Sequence, residues 1–186
     1  LLVVKNKKLE GLITVKDILK KEHHPNATTD KYGRLVAAAA IGVSSNTLNR
    51  VEALVDVNVD VVFIDTAHAH SKLVISTLKK VKKVFPKLNI IVGNVATKEA
   101  FKVLCDSGAD AVKIGIGAGS ICTTRIIAGV GVPQLTAVMA CKKISKEYNV
   151  PIISDGGMRY SGDIAKSIAA GSDSVMLGSI FAGSDE

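Results

Sequence analysis

From Arg34 onward the chain has a regular rhythm of apolar runs, at residues 35–43, 59–65, 89–95, 111–117, 150–155 and 174–178. Each run is short, continuous and rich in β-branched residues, which predicts strands buried on both faces of a parallel sheet. The stretches between them follow a helical period. Leu48, Val51 and Leu54 share one face, as do Leu73, Leu78, Val81 and Phe85. Thr97 is placed to cap a helix that Gly108 ends, and Ser161 to cap one that Gly171 ends. Ahead of this region, residues 1–4 and 9–14 read as two strands around a polar turn, and a short helix begins at Val15.

Strand–helix alternation implies right-handed βαβ units. The strand ends recur at near-regular steps with one longer step, between Gly117 and Gly157. That regularity predicts an α/β fold of the (β/α)₈ TIM-barrel type, incomplete with about six units, over a doubly wound sheet with its reversal of strand order. Three segments follow: 1–22, a polar linker at 23–33 with His23-His24-Pro25-Asn26, and the partial barrel at 34–186. The chain opens on Leu inside a strand pattern and stops soon after a strand–turn unit, so a fragment is expected.

Composition narrows the function classes. Aromatics make up 4% and Trp is absent, which suits an aliphatic core. No apolar run approaches a membrane span of about 18 residues, and no secretory signal pattern is present. Three cysteines, Cys105, Cys122 and Cys141, are too few and scattered for a disulfide framework, so a reducing, cytoplasmic setting is expected. The net charge of +7 comes largely from lysines on helical patterns. Nucleic-acid binding would call for stacking aromatics beside the basic patch, and their scarcity argues against it.

In a barrel, chemistry sits on the loops that follow the strands. Here those ends carry Asp65-Thr66-Ala67-His68-Ala69-His70, Gly93-Asn94, the loop Gly115–Arg125, Asp155-Gly156-Gly157-Met158 and Gly178-Ser179. The loop places three alternate glycines, Gly115, Gly117 and Gly119, ahead of Ser120 and Cys122, so its backbone can approach a ligand beside a thiol. Backbone N–H groups there would favour the nucleophilic thiolate. The longer step holds this loop, and long βα loops are where function tends to sit. The turns after the last two strands occupy the usual phosphate position of the fold, while Asp155 suits ribose hydroxyls, so a phosphorylated sugar or nucleotide is expected. His68 and His70 lack the partners a metal site needs, and Gly115-x-Gly-x-Gly lacks the dinucleotide fingerprint spacing.

Taken together, these motifs resemble the IMP dehydrogenase / GMP reductase family. Gly-Ile-Gly-Ala-Gly-Ser-Ile-Cys-Thr-Thr-Arg at 115–125 is close to its active-site loop. The stretches at 65–71, 93–97, 132–137, 155–163 and 175–179 match in order and spacing. Nearly the whole chain is covered. Residues 1–19 resemble the end of a CBS module, which this family inserts in the barrel. The resemblance implies two barrel strands and most of that insert upstream, with a mobile flap and a C-terminal segment downstream.

The implied reaction is NAD-dependent oxidation of inosine 5′-monophosphate (IMP) to xanthosine 5′-monophosphate through a thioimidate on Cys122, with Thr124 beside the hydrolytic water. Ser120, Asp155, Gly156, Gly157, Gly178 and Ser179 would hold the nucleotide. Asp65, Thr66, Ala67, Asn94, Gly115, Ile116 and Gly117 would face the nicotinamide half of NAD. The carbonyls of Gly117, Gly119 and Cys122 would ligate a potassium ion, and the full-length enzyme would be a homotetramer. The family's water-activating Arg–Tyr pair belongs to the flap. Ala38, Ala69 and Ala118 depart from the usual pattern and would narrow the NAD side. The alternatives are GMP reductase, whose loop reads Gly-Ser-Val-Cys and which has Leu-Gly-Gly where this chain has Leu177-Gly178-Ser179, a flavin-dependent hydroxy-acid oxidase, and a nucleotide-binding fragment without turnover.

Overall fold

The computed structural model describes residues 1–185 and divides into two units, Leu1–Val36 and the chain from Ala37 onward. In the first, β1 (Leu2–Lys5) and β2 (Lys8–Leu12) form an antiparallel hairpin. Its turn residues Asn6 and Lys7 both have positive φ, the conformation that matches strand twist in a two-residue turn. Helix α1 (Val15–His23) starts from a reciprocal cap: Asp17 N–H donates to Thr14 Oγ1 at 3.3 Å, and Thr14 N–H to Asp17 Oδ2 at 2.8 Å. Further on, the Asp30 carboxylate accepts from the N–H groups of Tyr32 and Arg34 and closes a turn.

In the second unit all six predicted strands are present, and they pair in chain order. They are β3 (Ala38–Ile41), β4 (Val61–Asp65), β5 (Asn89–Val95), β6 (Ala111–Ile114), β7 (Ile152–Asp155) and β8 (Ser174–Met176), every neighbouring pair parallel. Sequential parallel order with no crossover is the topology of a barrel wall. The sheet is curled, and the fold is an incomplete (β/α) barrel. Helices α2 (Thr47–Asp56), α3 (Lys72–Val84), α4 (Lys98–Asp106), α5 (Thr124–Ile127), α6 (Gln134–Tyr148) and α7 (Ser161–Ala170) connect the strands. As expected, Thr97 caps α4, and Gly171 ends α7 with φ of 117°. Ser161 does not cap α7; it is the first helical residue. Asp163 does that work instead, accepting from Arg159 N–H at 3.0 Å and Tyr160 N–H at 3.1 Å.

The expectation of strands buried on both faces holds for β6, all four residues of which are buried, and needs correcting for the others. Helix-facing positions, among them Val62, Ile64, Ile90, Val92, Val112, Ile114 and Ile152, are fully buried with Leu78, Val81, Phe101 and Leu104. The alternate positions line the concave side, where Val61, Phe63, Ile91 and Ile153 are only partly buried. An apolar run reads the same in both cases, because alternation is lost once both faces prefer aliphatic residues.

Asp60, Asp110 and Asp173 each precede a strand and play one role. Each donates its N–H to the carbonyl of a residue on the preceding strand or just before it, and accepts that residue's N–H on its carboxylate. The partners are Ala37, Ile90 and Ile152, with side-chain distances of 2.8, 2.6 and 2.7 Å. These clamps fix the register of β4 on β3, β6 on β5 and β8 on β7 at the N-terminal rim.

Candidate active site

The C-terminal ends of the strands bring the chemical residues together. Asp65, Gly93 and Lys113 stand side by side in register on β4, β5 and β6. Lys113 is 3% exposed. Its ammonium lies 2.5 Å from Asp155 Oδ2 and 3.1 Å from Asp65 Oδ1. Gly93 makes this reach possible, since a Cβ there would stand 2.6 Å from the Cβ of Lys113. Asn94 Nδ2 donates to the same Asp155 oxygen at 2.9 Å and to the Gly115 carbonyl at 2.7 Å. Its Oδ1 is buried with no partner among the described residues. Gly115 carries φ of 152°, and a Cβ there would collide with the Asp155 carbonyl oxygen, so the loop can leave β6 only through glycine.

Two adjoining cavities open on this rim. The larger, about 810 Å³, is lined by Ser120, Cys122, Asp155, Gly156, Gly157, Gly178 and Ser179, with Arg159 and Met158. The smaller, about 230 Å³, is lined by Asp65, Thr66, Ala67, Asn94, Lys113, Gly115, Ile116, Gly117 and Thr124. Cys122, Asp155, Gly156 and the 117–119 backbone line both. Every side chain expected on the nucleotide side therefore lies in one cavity and every one expected on the cofactor side in the other. His68 and His70 are among the lining residues of neither; their rings stand 6.3 Å apart. Ala69 is fully buried in the core, so its methyl does not narrow the rim.

At the border, the Cys122 thiol donates to Thr124 Oγ1 at 3.3 Å. The Thr124 hydroxyl can rotate to donate to the thiolate instead, and this, with backbone N–H groups and the nearby Arg125 charge, holds the Cys122 pKa below the ordinary thiol value. The other two cysteines are opposite in character. Burial pushes Cys105 up to about 11 and Cys141 up to about 12, so both stay as thiols.

Two residues of the site have no role in the sequence reading, although Gln134 falls within the matched stretch 132–137. Lys113 sits within a run that reads as plain strand; the available signal was a lysine in an otherwise aliphatic segment. Gln134, the first residue of α6, donates from Nε2 to the Ile114 carbonyl at 2.8 Å and Ser154 Oγ at 2.9 Å, tying the loop to β6 and β7.

Comparison with known proteins decides the family. The model of the IMP dehydrogenase / GMP reductase domain matches residues 2–186. The chain belongs to that family. It is 57% identical over 185 residues to inosine-5′-monophosphate dehydrogenase of Aquifex aeolicus and 54% identical over 185 residues to that of Bacillus subtilis. In both cases all of this chain aligns to 38% of the relative's length. A crystal structure of GMP reductase C318A from Trypanosoma brucei in complex with guanosine 5′-monophosphate superposes with a TM-score of 0.89 at 46% identity. That match covers 97% of this chain and 38% of the other.

The donor sets present differ in their fit to the two groups the family resemblance implies. For NAD, the smaller cavity has Asp65 as an acceptor for sugar hydroxyls and Asn94 Oδ1 as a buried acceptor lacking a donor, and these fit. For potassium, the Gly117 carbonyl already accepts from Arg125 Nε at 2.6 Å, and the Gly119 carbonyl accepts from Cys122 N–H at 3.1 Å. A guanidinium on one of three expected ligands places a cation where the metal would add a second, so this arrangement does not fit potassium.

Proposed function

We propose that this chain carries the nucleotide-oxidising core of an IMP dehydrogenase, converting IMP to xanthosine 5′-monophosphate with NAD. The observation that carries the reading is Cys122, an activated thiol on the shared border of two cavities with ribose-accepting carboxylates on either side. The nucleotide would lie in the larger cavity, its ribose hydroxyls donating to Asp155. Its phosphate would meet the backbone N–H groups around Gly156, Gly157, Gly178 and Ser179, where three glycines leave room for an anion.

The chemistry divides in two. Cys122 Sγ forms a bond to C2 of the purine, and the hydrogen at C2 leaves with its electron pair. NAD⁺, when bound, accepts that hydride; Asp65, Thr66 and Asn94 would hold its nicotinamide half. The resulting thioimidate on Cys122 is cleaved by water, which supplies the new oxygen at C2 and releases the thiol. Thr124 would orient that water and stabilise the sulfur as it departs. No step of this reading runs through potassium.

A second reading, GMP reductase, is favoured by the T. brucei structure. Against it stand Ile121 ahead of the cysteine and Ser179 after Leu177-Gly178. Rapid mixing with IMP and NAD⁺, followed by NADH absorbance, tests the proposal beside Cys122→Ala. The expected result is a burst of NADH that the variant abolishes. NADPH-dependent deamination of GMP with no burst from IMP would replace this reading with the second.

A further inference from the structure

We propose that Lys113 is a positioning residue for both halves of the site: a shared counter-ion that holds the Asp155 and Asp65 carboxylates in place and makes binding on one side depend on charge on the other. This rests on the reading of the two cavities as nucleotide and dinucleotide sites. The argument starts from burial. An ammonium that is 3% exposed persists only with close anionic partners, and Lys113 has two, at 2.5 and 3.1 Å, on strands β7 and β4. The carboxylates are unequal. The Asp155 side chain is 24% exposed and that of Asp65 48%, so Asp155 depends on the lysine more heavily.

Both contacts to Asp155, from Lys113 and Asn94, fall on Oδ2. Oδ1 therefore remains for a ligand hydroxyl while Oδ2 is fixed. Without the ammonium, two carboxylates would face one another across a glycine gap, and their repulsion would turn Asp155 out of the position in which Oδ1 meets a ribose hydroxyl. The effect of neutralising Asp65 depends on whether Lys113 is there. With Lys113 present, it throws the full positive charge onto Asp155 and weakens its accepting oxygen. With Lys113 absent, it relieves the repulsion.

The test is IMP binding by calorimetry to the chain in a Cys122→Ala background, where no turnover intervenes, with circular dichroism as the fold check. Lys113→Met is expected to weaken IMP at least tenfold. Asp65→Asn alone is expected to weaken it two- to fivefold, although Asp65 does not line the IMP cavity. Lys113→Met with Asp65→Asn is expected to bind IMP more tightly than Lys113→Met alone, a reversal that a purely structural role for the lysine does not give. If Lys113→Met fails to fold, the Asp65→Asn measurement and Lys113→Arg carry the test; the arginine is expected to stay within tenfold of the parent. IMP binding unchanged in Lys113→Met or in Asp65→Asn, or additive losses in the double variant, would overturn the proposal while leaving the functional reading in place. No IMP binding by the parent would overturn both.

Discussion

The Cys122 thiol meets the Thr124 hydroxyl at 3.3 Å, two residues further along the same loop. Removing that hydroxyl removes the largest cause of the lowered Cys122 pKa. Thr124→Val is expected to slow iodoacetamide alkylation of Cys122 at pH 7 by about three- to tenfold, because the thiolate fraction falls. Mass-spectrometric mapping against time checks this, and should find Cys105 and Cys141 unmodified over the same interval. Equal rates in the two proteins would remove Thr124 as the activating group.

Gly93 separates Lys113 from Asp65 in the register of the sheet. Gly93→Ala places a methyl 2.6 Å from the Lys113 Cβ, between two backbone strands that cannot both retreat. Overpacking of this kind costs about 1–3 kcal/mol. A lower urea midpoint at unchanged slope is the expected result.

Asp163 accepts from Lys166 and from two N–H groups at the start of α7, and these hold its pKa down to about 2, with the lysine contact first. A depressed carboxylate contributes stability that is fully present above its unfolded value near 3.8 and is lost as pH falls through about 2. Asp163→Asn should therefore lower Tm at pH 7, and the gap between variant and parent should close as the pH falls from about 4 to about 2. A gap constant with pH would assign the effect to the cap geometry rather than to the charge.

Arg125 holds the Gly117 carbonyl through Nε and the Val132 carbonyl through Nη2. A monovalent cation that used the Gly117 oxygen would have to displace it. Arg125→Gln is expected to increase the thermal shift produced by KCl over NaCl, with half-saturation at least about threefold lower in potassium. An unchanged potassium response would mean that any such site does not involve Gly117.

The strand order, the helix ends at Thr97 and Gly171 and the gathering of glycines on one rim were all legible because each has a local cause: aliphatic runs, a hydroxyl that takes an N–H, a positive φ. The division of the site into two cavities followed from motif resemblance, and the geometry then grouped the same residues. Three things were not legible. Lys113 was hidden because burial of a lysine depends on partners far off in sequence, 48 residues back at Asp65 and 42 ahead at Asp155. The capping of α7 by Asp163 was missed because the N-cap is Tyr160, whose side chain gives no capping signal, and the carboxylate reaches back from the third helical position. Arg125 was read as the end of a motif, yet its guanidinium closes the loop by gripping two carbonyls.

The aspartate clamps join the sheet two strands at a time. Positions equivalent to Asp60, Asp110 and Asp173 are filled on β5 by Leu88 and on β7 by Pro151, whose side chains cannot take a backbone N–H. The N-terminal rim is thus three stapled pairs with two seams, between β4 and β5 and between β6 and β7. At the opposite rim, Lys113 on β6 reaches Asp65 across the first seam and Asp155 across the second. A single ammonium at this rim thus spans the two strand boundaries that the three aspartates leave unstapled at the other.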